Sequence, residues 1–303
     1  MRGFRISERE TVKETIHRIL YEQVDSMLEN CENKQDDLHK SIHEIRKSIK
    51  RIRAVLRLMR EEIGYSSYYR ENTFYRDINR STSDLRTYNV LIITLETLQT
   101  GLSSTLDPAK TKPMIMEIKS HRDKMLEQVL SSNRVMKDLS SQFREGRLRI
   151  PNLPIHSNGF DALAGGIERM YRQGKKFMKA SQKTPDMHML HDMRKRMKYL
   201  WYQIEILKPI YPGLLKAFAG SLESISEKLG TYHDLAVLSE YLRENESGLE
   251  NTLRDTLREA CEFKKTAMLP EIFRQAEAIY TEEPDALIQR LEGYWKIYYR
   301  RIS

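Results

Sequence analysis

Two short stretches hold the residues best suited to chemistry. The first reads Ile42-His43-Glu44-Ile45-Arg46-Lys47-Ser48-Ile49-Lys50. The second reads Leu190-His191-Asp192-Met193-Arg194-Lys195-Arg196-Met197-Lys198. They share the pattern apolar-His-acid-apolar-Arg-Lys-x-apolar-Lys, and a match of this length argues for an internal duplication. At 100° per residue, His43, Arg46, Lys47 and Lys50 share one helix face, and His191, Arg194, Lys195 and Lys198 share another in the same phase. The chemistry such a face suits is capture of an anion. Arginine offers paired donors to phosphate oxygens and lysine a point charge. Histidine donates a hydrogen bond when neutral and adds charge when protonated. Arg53, Arg57 and Arg60 extend the first copy. A solvated helix face usually mixes Glu with Lys, whereas a nearly single-signed face repels itself unless an anion or facing carboxylates compensate.

Other chemistries find less support. His39 and His43, or His188 and His191, have spacings that suit a metal, with Asp36, Asp37 and Asp192 near in sequence. The surrounding Lys and Arg disfavour a dication, so we expect no metal site and no cofactor. The chain has no His-Glu-x-x-His pattern, no Gly-rich phosphate loop and no serine on a strained turn, so we expect no enzymatic activity. Tyr65, Tyr68, Tyr69 and Tyr75 could stack on bases, but their irregular spacing fits core and turn packing better.

Long helices must position these residues. Apolar side chains recur at spacings of three and four, and no segment alternates as a strand would. The pattern predicts helices from about Ser7 to Asn30, Asp37 to Glu62, Tyr68 to Thr100 and Pro113 to Glu145. The stretch Arg147 to Gly159, with Pro151 and Pro154, reads as a linker. Further helices are expected from about Phe160 to Ser181, Pro185 to Lys208, Leu214 to Glu244 and Leu249 to Ala278, and a short one follows Pro284. The expected architecture is all-α, with a helical bundle in residues 1–150 and a second in 151–303. Ile42, Ile45, Ile49, Ile52, Leu56 and Met59 form a core stripe in the first half. Leu190, Met193, Met197, Leu200, Ile204 and Leu207 form its equivalent.

Composition agrees. The 303 residues carry a formal net charge of +8, which argues for an acidic partner: nucleic acid, an anionic surface or a soluble polyanion. Cys31 and Cys261 form no metal-type spacing, and a reducing compartment is expected. No apolar run approaches the length of a membrane span, and the first ten residues show no secretory signal.

At the repeated motif the chain resembles the CHAD family, the conserved histidine α-helical domain. The likeness continues through Lys50-Arg51-Ile52-Arg53, Arg70-Glu71-Asn72, Arg76-Asp77 and Arg80 in the first half. In the second it continues through Lys198, Leu200-Trp201-Tyr202-Gln203 and Leu229-Gly230-Thr231-Tyr232-His233-Asp234-Leu235. The resemblance implies two pseudo-symmetric four-helix bundles, together one domain, with a basic groove or pore between them that binds inorganic polyphosphate. Arg76, Arg80 and Arg86 in the first half, and Arg172, Lys175 and Lys176 in the second, are then candidates to line that cavity, with Arg122 a further one. Arg86-Thr87 stands where the family usually has Arg-Asp, so the halves are expected to contribute unequally. The reading that follows is a cytoplasmic polyphosphate-binding module, associated with polyphosphate granules and without catalysis. A nucleic-acid-binding helical protein and a metal-dependent phosphohydrolase are the competing readings.

Overall fold

The computed structural model describes residues 3–32, 38–82, 84–101, 107–131, 134–244 and 250–300. Eleven α-helices succeed one another: α1 (Val12–Glu32), α2 (Leu38–Leu58), α3 (Arg60–Ser81), α4 (Asp84–Gly101), α5 (Pro108–Ser131), α6 (Arg134–Arg149), α7 (Asp161–Lys183), α8 (Met187–Leu207), α9 (Pro212–Glu244), α10 (Asn251–Ile279) and α11 (Pro284–Arg300). No strand occurs among the described residues, and the fold is all-α.

Local chemistry sets several helix ends. Thr11 and Glu14 form a reciprocal capping box at the start of α1, with Glu14 N donating to Thr11 Oγ1 (3.2 Å) and Thr11 N to Glu14 Oε2 (2.8 Å). Asp186 caps α8 by accepting from the amides of His188 and Met189. Asp107 accepts from Ala109 N ahead of Pro108, so α5 starts before the expected Pro113.

The single helix expected from Tyr68 to Thr100 is two helices. α3 begins at Arg60 and bends at Gly64, whose φ of 74° suits glycine alone. It ends at Ser81, where Ser81 and Thr82 hydroxyls bond back to the carbonyls of Ile78 and Asn79. Of the helix expected from Pro113 to Glu145, the described residues are helical up to Ser131 and again from Arg134. Nor is the stretch after α6 a loose linker. A 3-10 turn covers Ile150–Asn152, and Ile150, Leu153 and Ile155 are buried.

Both predicted core stripes are buried throughout. Replacing a fully buried Ile or Leu of this kind by Ala costs about 2–5 kcal/mol. In the first half α2 packs on α1 and α3, and α6 returns to α1; in the second α8 packs on α7 and α9, and α11 returns to α7. The halves meet where α2 crosses α8 and α7. Gly166 makes the α2–α7 approach possible, because a Cβ there would lie 2.1 Å from the Leu58 carbonyl oxygen. One continuous apolar core joins residues of α1, α2, α3 and α6 to residues of α7 through α11. A second, smaller core joins α4 and α5 to α9 and α10. Neither core stops at the midpoint of the chain.

Candidate anion-binding site

The two repeated motifs lie on α2 and α8, and the first arginine of each donates to a backbone carbonyl of the next helix, at its end in one case and mid-helix in the other. Arg46, 9% exposed, donates from Nη1 to the Asn79 carbonyl (2.6 Å) and to Thr82 Oγ1 (2.9 Å), so it closes the C-terminus of α3. Arg194 donates from Nε to the Ser226 carbonyl of α9 at 3.2 Å. The acid of each motif pairs with its own lysine: Glu44 with Lys47 at 3.3 Å, and Asp192 with Lys195. His43 is exposed and Lys50 half-buried. Lys198 lies over the Trp201 ring at 4.9 Å.

His191 is half-buried, its ring centroid 5.1 Å from that of His233, and its Nδ1 has no hydrogen-bond partner. Burial first, then the charges of Lys195, His233 and Arg194, push it down to about 4. The imidazole is therefore neutral at neutral pH.

A second group of cations lies further along α2, where it crosses α8. Arg53 Nε and Arg57 Nη1 both donate to Asn72 Oδ1 of α3, at 3.2 and 2.8 Å. The Arg57 guanidinium stacks 4.0 Å from the Tyr199 ring of α8 and lies 5.9 Å from Tyr68 of α3. Arg196, on α8, is half-buried with Nε lacking a hydrogen-bond partner, and lies 5.5 Å from the Phe177 ring of α7. Burial is the leading cause that holds Arg53 and Arg196 below the ordinary guanidinium range. Arg57 adds repulsion to both, and Arg76 adds it to Arg53. The shared acceptor is a neutral amide where a carboxylate would cancel charge. The nearby acids have closer partners: Asp77 accepts from Arg76 at 2.8 Å, and Asp192 pairs with Lys195 while also attracting Arg196. Like charges about 4 Å apart at an effective dielectric near 20 repel by about 4 kcal/mol. An anion placed among Arg53, Arg57 and Arg196 would relieve such repulsion and supply the missing acceptor.

The motifs and the helix packing have a counterpart among known proteins. Residues 18–243 match the CHAD domain family. The chain belongs to the CHAD family. It is also similar in fold to the crystal structure of the CHAD domain from the plant Ricinus communis, with a TM-score of 0.56 at 16% identity, covering 95% of this chain and 94% of that one. A comparison with curated proteins gives no match.

Not every candidate from the sequence joins this CHAD-family cluster. Arg76 stands at its edge, and Arg80 is exposed one turn on. Arg172 pairs with Glu168 and with Asp285 at 3.4 Å. Lys175 donates to the Glu282 carbonyl (3.0 Å) and pairs with Glu283 (2.8 Å). Both therefore face the start of α11 rather than the α2–α8 crossing. Lys176 is exposed on α7. Arg122 of α5 is held by Asp123 (2.8 Å) and Asn89 (3.4 Å), beside the smaller core. The side chains of Arg86 and His39 lie outside the described residues. Thr87, where the family has an acid, is exposed on α4. Among the described residues no three His, Cys, Asp or Glu side chains converge as a metal site requires.

Sequence reasoning gave no site role to Arg196, Asn72 or Tyr199, and read Tyr68 as a packing residue. Arg196 fills the variable position of the repeat, where the first half has the buried Ser48. Its role depends on the α2–α8 crossing, which no local pattern encodes.

Proposed function

We propose that this CHAD-family chain binds inorganic polyphosphate at the arginine cluster between α2, α3 and α8, and that it binds without cleaving. One observation carries the reading: Arg53 and Arg57 are half-buried on a shared neutral amide, that of Asn72, and the half-buried Arg196 of α8 lies within reach of the Arg57 charge. Desolvated guanidiniums stabilise an incoming anion more than exposed ones do, because the interaction is less screened by water. Polyphosphate carries about one charge per phosphate along a flexible chain, so it can follow cations set on a curved surface. Family membership supports this ligand over others. The same reading places the protein in the cytoplasm, in contact with polyphosphate granules. No helix among the described residues is long and apolar enough to cross a membrane.

Calorimetric titration with polyphosphate of defined length, beside single-stranded RNA of equal charge, tests the ligand. Polyphosphate is expected to bind more tightly, with an affinity that falls as salt rises, because condensed counterions are released on binding. RNA binding more tightly would favour a nucleic-acid-binding protein. Phosphate release in the presence of magnesium or manganese would replace the binding reading with that of a phosphohydrolase.

A further inference from the structure

Two tyrosines on α3 are left outside the core. Tyr65 and Tyr69 are 65% and 55% exposed, and their rings stack on each other with centroids 5.8 Å apart and planes 25° apart. Much of the surface of both rings therefore faces solvent. The Arg60 guanidinium lies 5.6 Å from Tyr65 and 4.8 Å from Tyr68. Tyr68 in turn lies 5.9 Å from Arg57, which stacks on Tyr199. A continuous track of rings and guanidiniums thus runs from the exposed pair into the arginine cluster. The acids beside it are committed elsewhere. Glu61 pairs with Arg169, and Glu62 accepts from the amides of His156 (2.6 Å) and Ser157 (2.8 Å). Neither Arg57 nor Arg60 has a carboxylate partner among the described residues.

We infer that this track takes a nucleoside polyphosphate, with its phosphates on the arginines and its base stacked on the Tyr65–Tyr69 pair. The inference rests on the arginine cluster as the phosphate site and adds a second recognition element to it. Open aromatic faces next to cations hold base-bearing anions, because every base offers a π-face and every phosphate a charge. The number of platforms sets the number of bases. A single-strand reader needs a series of rings on which successive bases stack. Here the exposed rings elsewhere lie on other elements: Tyr211 stacks on Tyr294, and Phe263 is on α10. One platform at the end of one cationic track fits one base at the end of one phosphate chain.

The test compares ATP with tripolyphosphate, two ligands with equal numbers of phosphates, by calorimetry on the full chain. ATP is expected to bind roughly tenfold more tightly, the size of one base–aromatic stack. In Tyr65→Ala/Tyr69→Ala the two ligands should become equal, while tripolyphosphate affinity stays within about twofold. Tyr65→Phe/Tyr69→Phe, which keeps the rings, should keep the preference for ATP. Equal affinities in the wild type, with tripolyphosphate bound, would overturn this inference alone. Failure of both ligands to bind would overturn the arginine site together with it. An oligouridylate whose affinity climbs with each added base would replace the one-base ligand by a strand.

Discussion

The arginines at the shared positions of the motif and those of the α2–α8 crossing are the same residue type on the same helices, about two turns or more apart on α2 and two residues apart on α8, yet they do different work. Arg46 and Arg194 each deliver donors to a backbone carbonyl of the following helix, and Arg46 is almost fully buried in doing so. Arg53 and Arg57 share a neutral amide, Arg57 also lies on the Tyr199 ring, and Arg196 lies on the Phe177 ring within reach of the Arg57 charge. The first pair holds helices together through backbone carbonyls. The second group meets side-chain amide and ring faces. What separates them is the partner each side chain finds, because a guanidinium bonded to the backbone is fixed in the fold and one lying on rings and an amide can still turn donors to a ligand.

The largest effect should come from reversing the crossing cluster. The triple variant Arg53→Glu/Arg57→Glu/Arg196→Glu is expected to lose at least about a hundredfold in polyphosphate affinity, since charge-assisted hydrogen bonds are worth about 1.5–3 kcal/mol each. Circular dichroism should report an unchanged helix content. A folded triple variant that still binds would move the site away from the α2–α8 crossing.

Arg46→Ala should show the opposite balance. It leaves the Asn79 carbonyl and Thr82 hydroxyl without their donor, a loss of about 1–3 kcal/mol in urea unfolding. Polyphosphate affinity should change less than about threefold, within the energy of a screened charge. Arg194→Ala should act in the same direction. If Arg46→Ala instead loses affinity while keeping stability, the contrast between the two groups of arginines is wrong.

His191 sharpens the comparison through pH. Its folded value of about 4 lies below the ordinary 6.5, so on acidification the unfolded chain takes the proton first. The stability this group contributes is complete above pH 6.5 and is lost as the pH falls toward 4. The expected loss across that window is roughly 2 kcal/mol. His191→Gln should flatten this part of the curve of unfolding midpoint against pH. A wild-type midpoint that rises on acidification would show that the ring is not held neutral.

The smallest effects belong to the cations already paired elsewhere. Arg122→Ala and Arg172→Ala should each change polyphosphate affinity by less than about twofold, because their partners are local acids and exposed pairs contribute little. A larger loss in either titration would extend the binding surface to α5 or α7.

Much of this was legible in the sequence. The two apolar stripes at helical spacing predicted which faces of α2 and α8 are buried, and all twelve residues are. The repeated His-acid-Arg-Lys pattern marked α2 and α8, the two helices whose crossing brings Arg53, Arg57 and Arg196 together. The break at Ser81 was not legible, because apolar periodicity runs on through it and only cap-forming residues mark the end. The function of Arg46 was not legible either, since its acceptor lies 33 residues away. Arg196 was hidden by the repeat itself: comparing the halves sets aside the position at which they differ, and that position carries a cation of the cluster.

The core shared between the halves has a consequence for the history of the chain. A duplicated gene can in general shed one of its copies. Here the apolar faces of α2 and α8 rest against the opposite half, and Gly166 of the second half sits against the backbone of Leu58 in the first. Either copy made alone would expose that surface to water and meet the cell's proteases and chaperones as an unfolded chain. Because both motif helices contribute to one interior, losing either half of the chain would strip the other of part of its core.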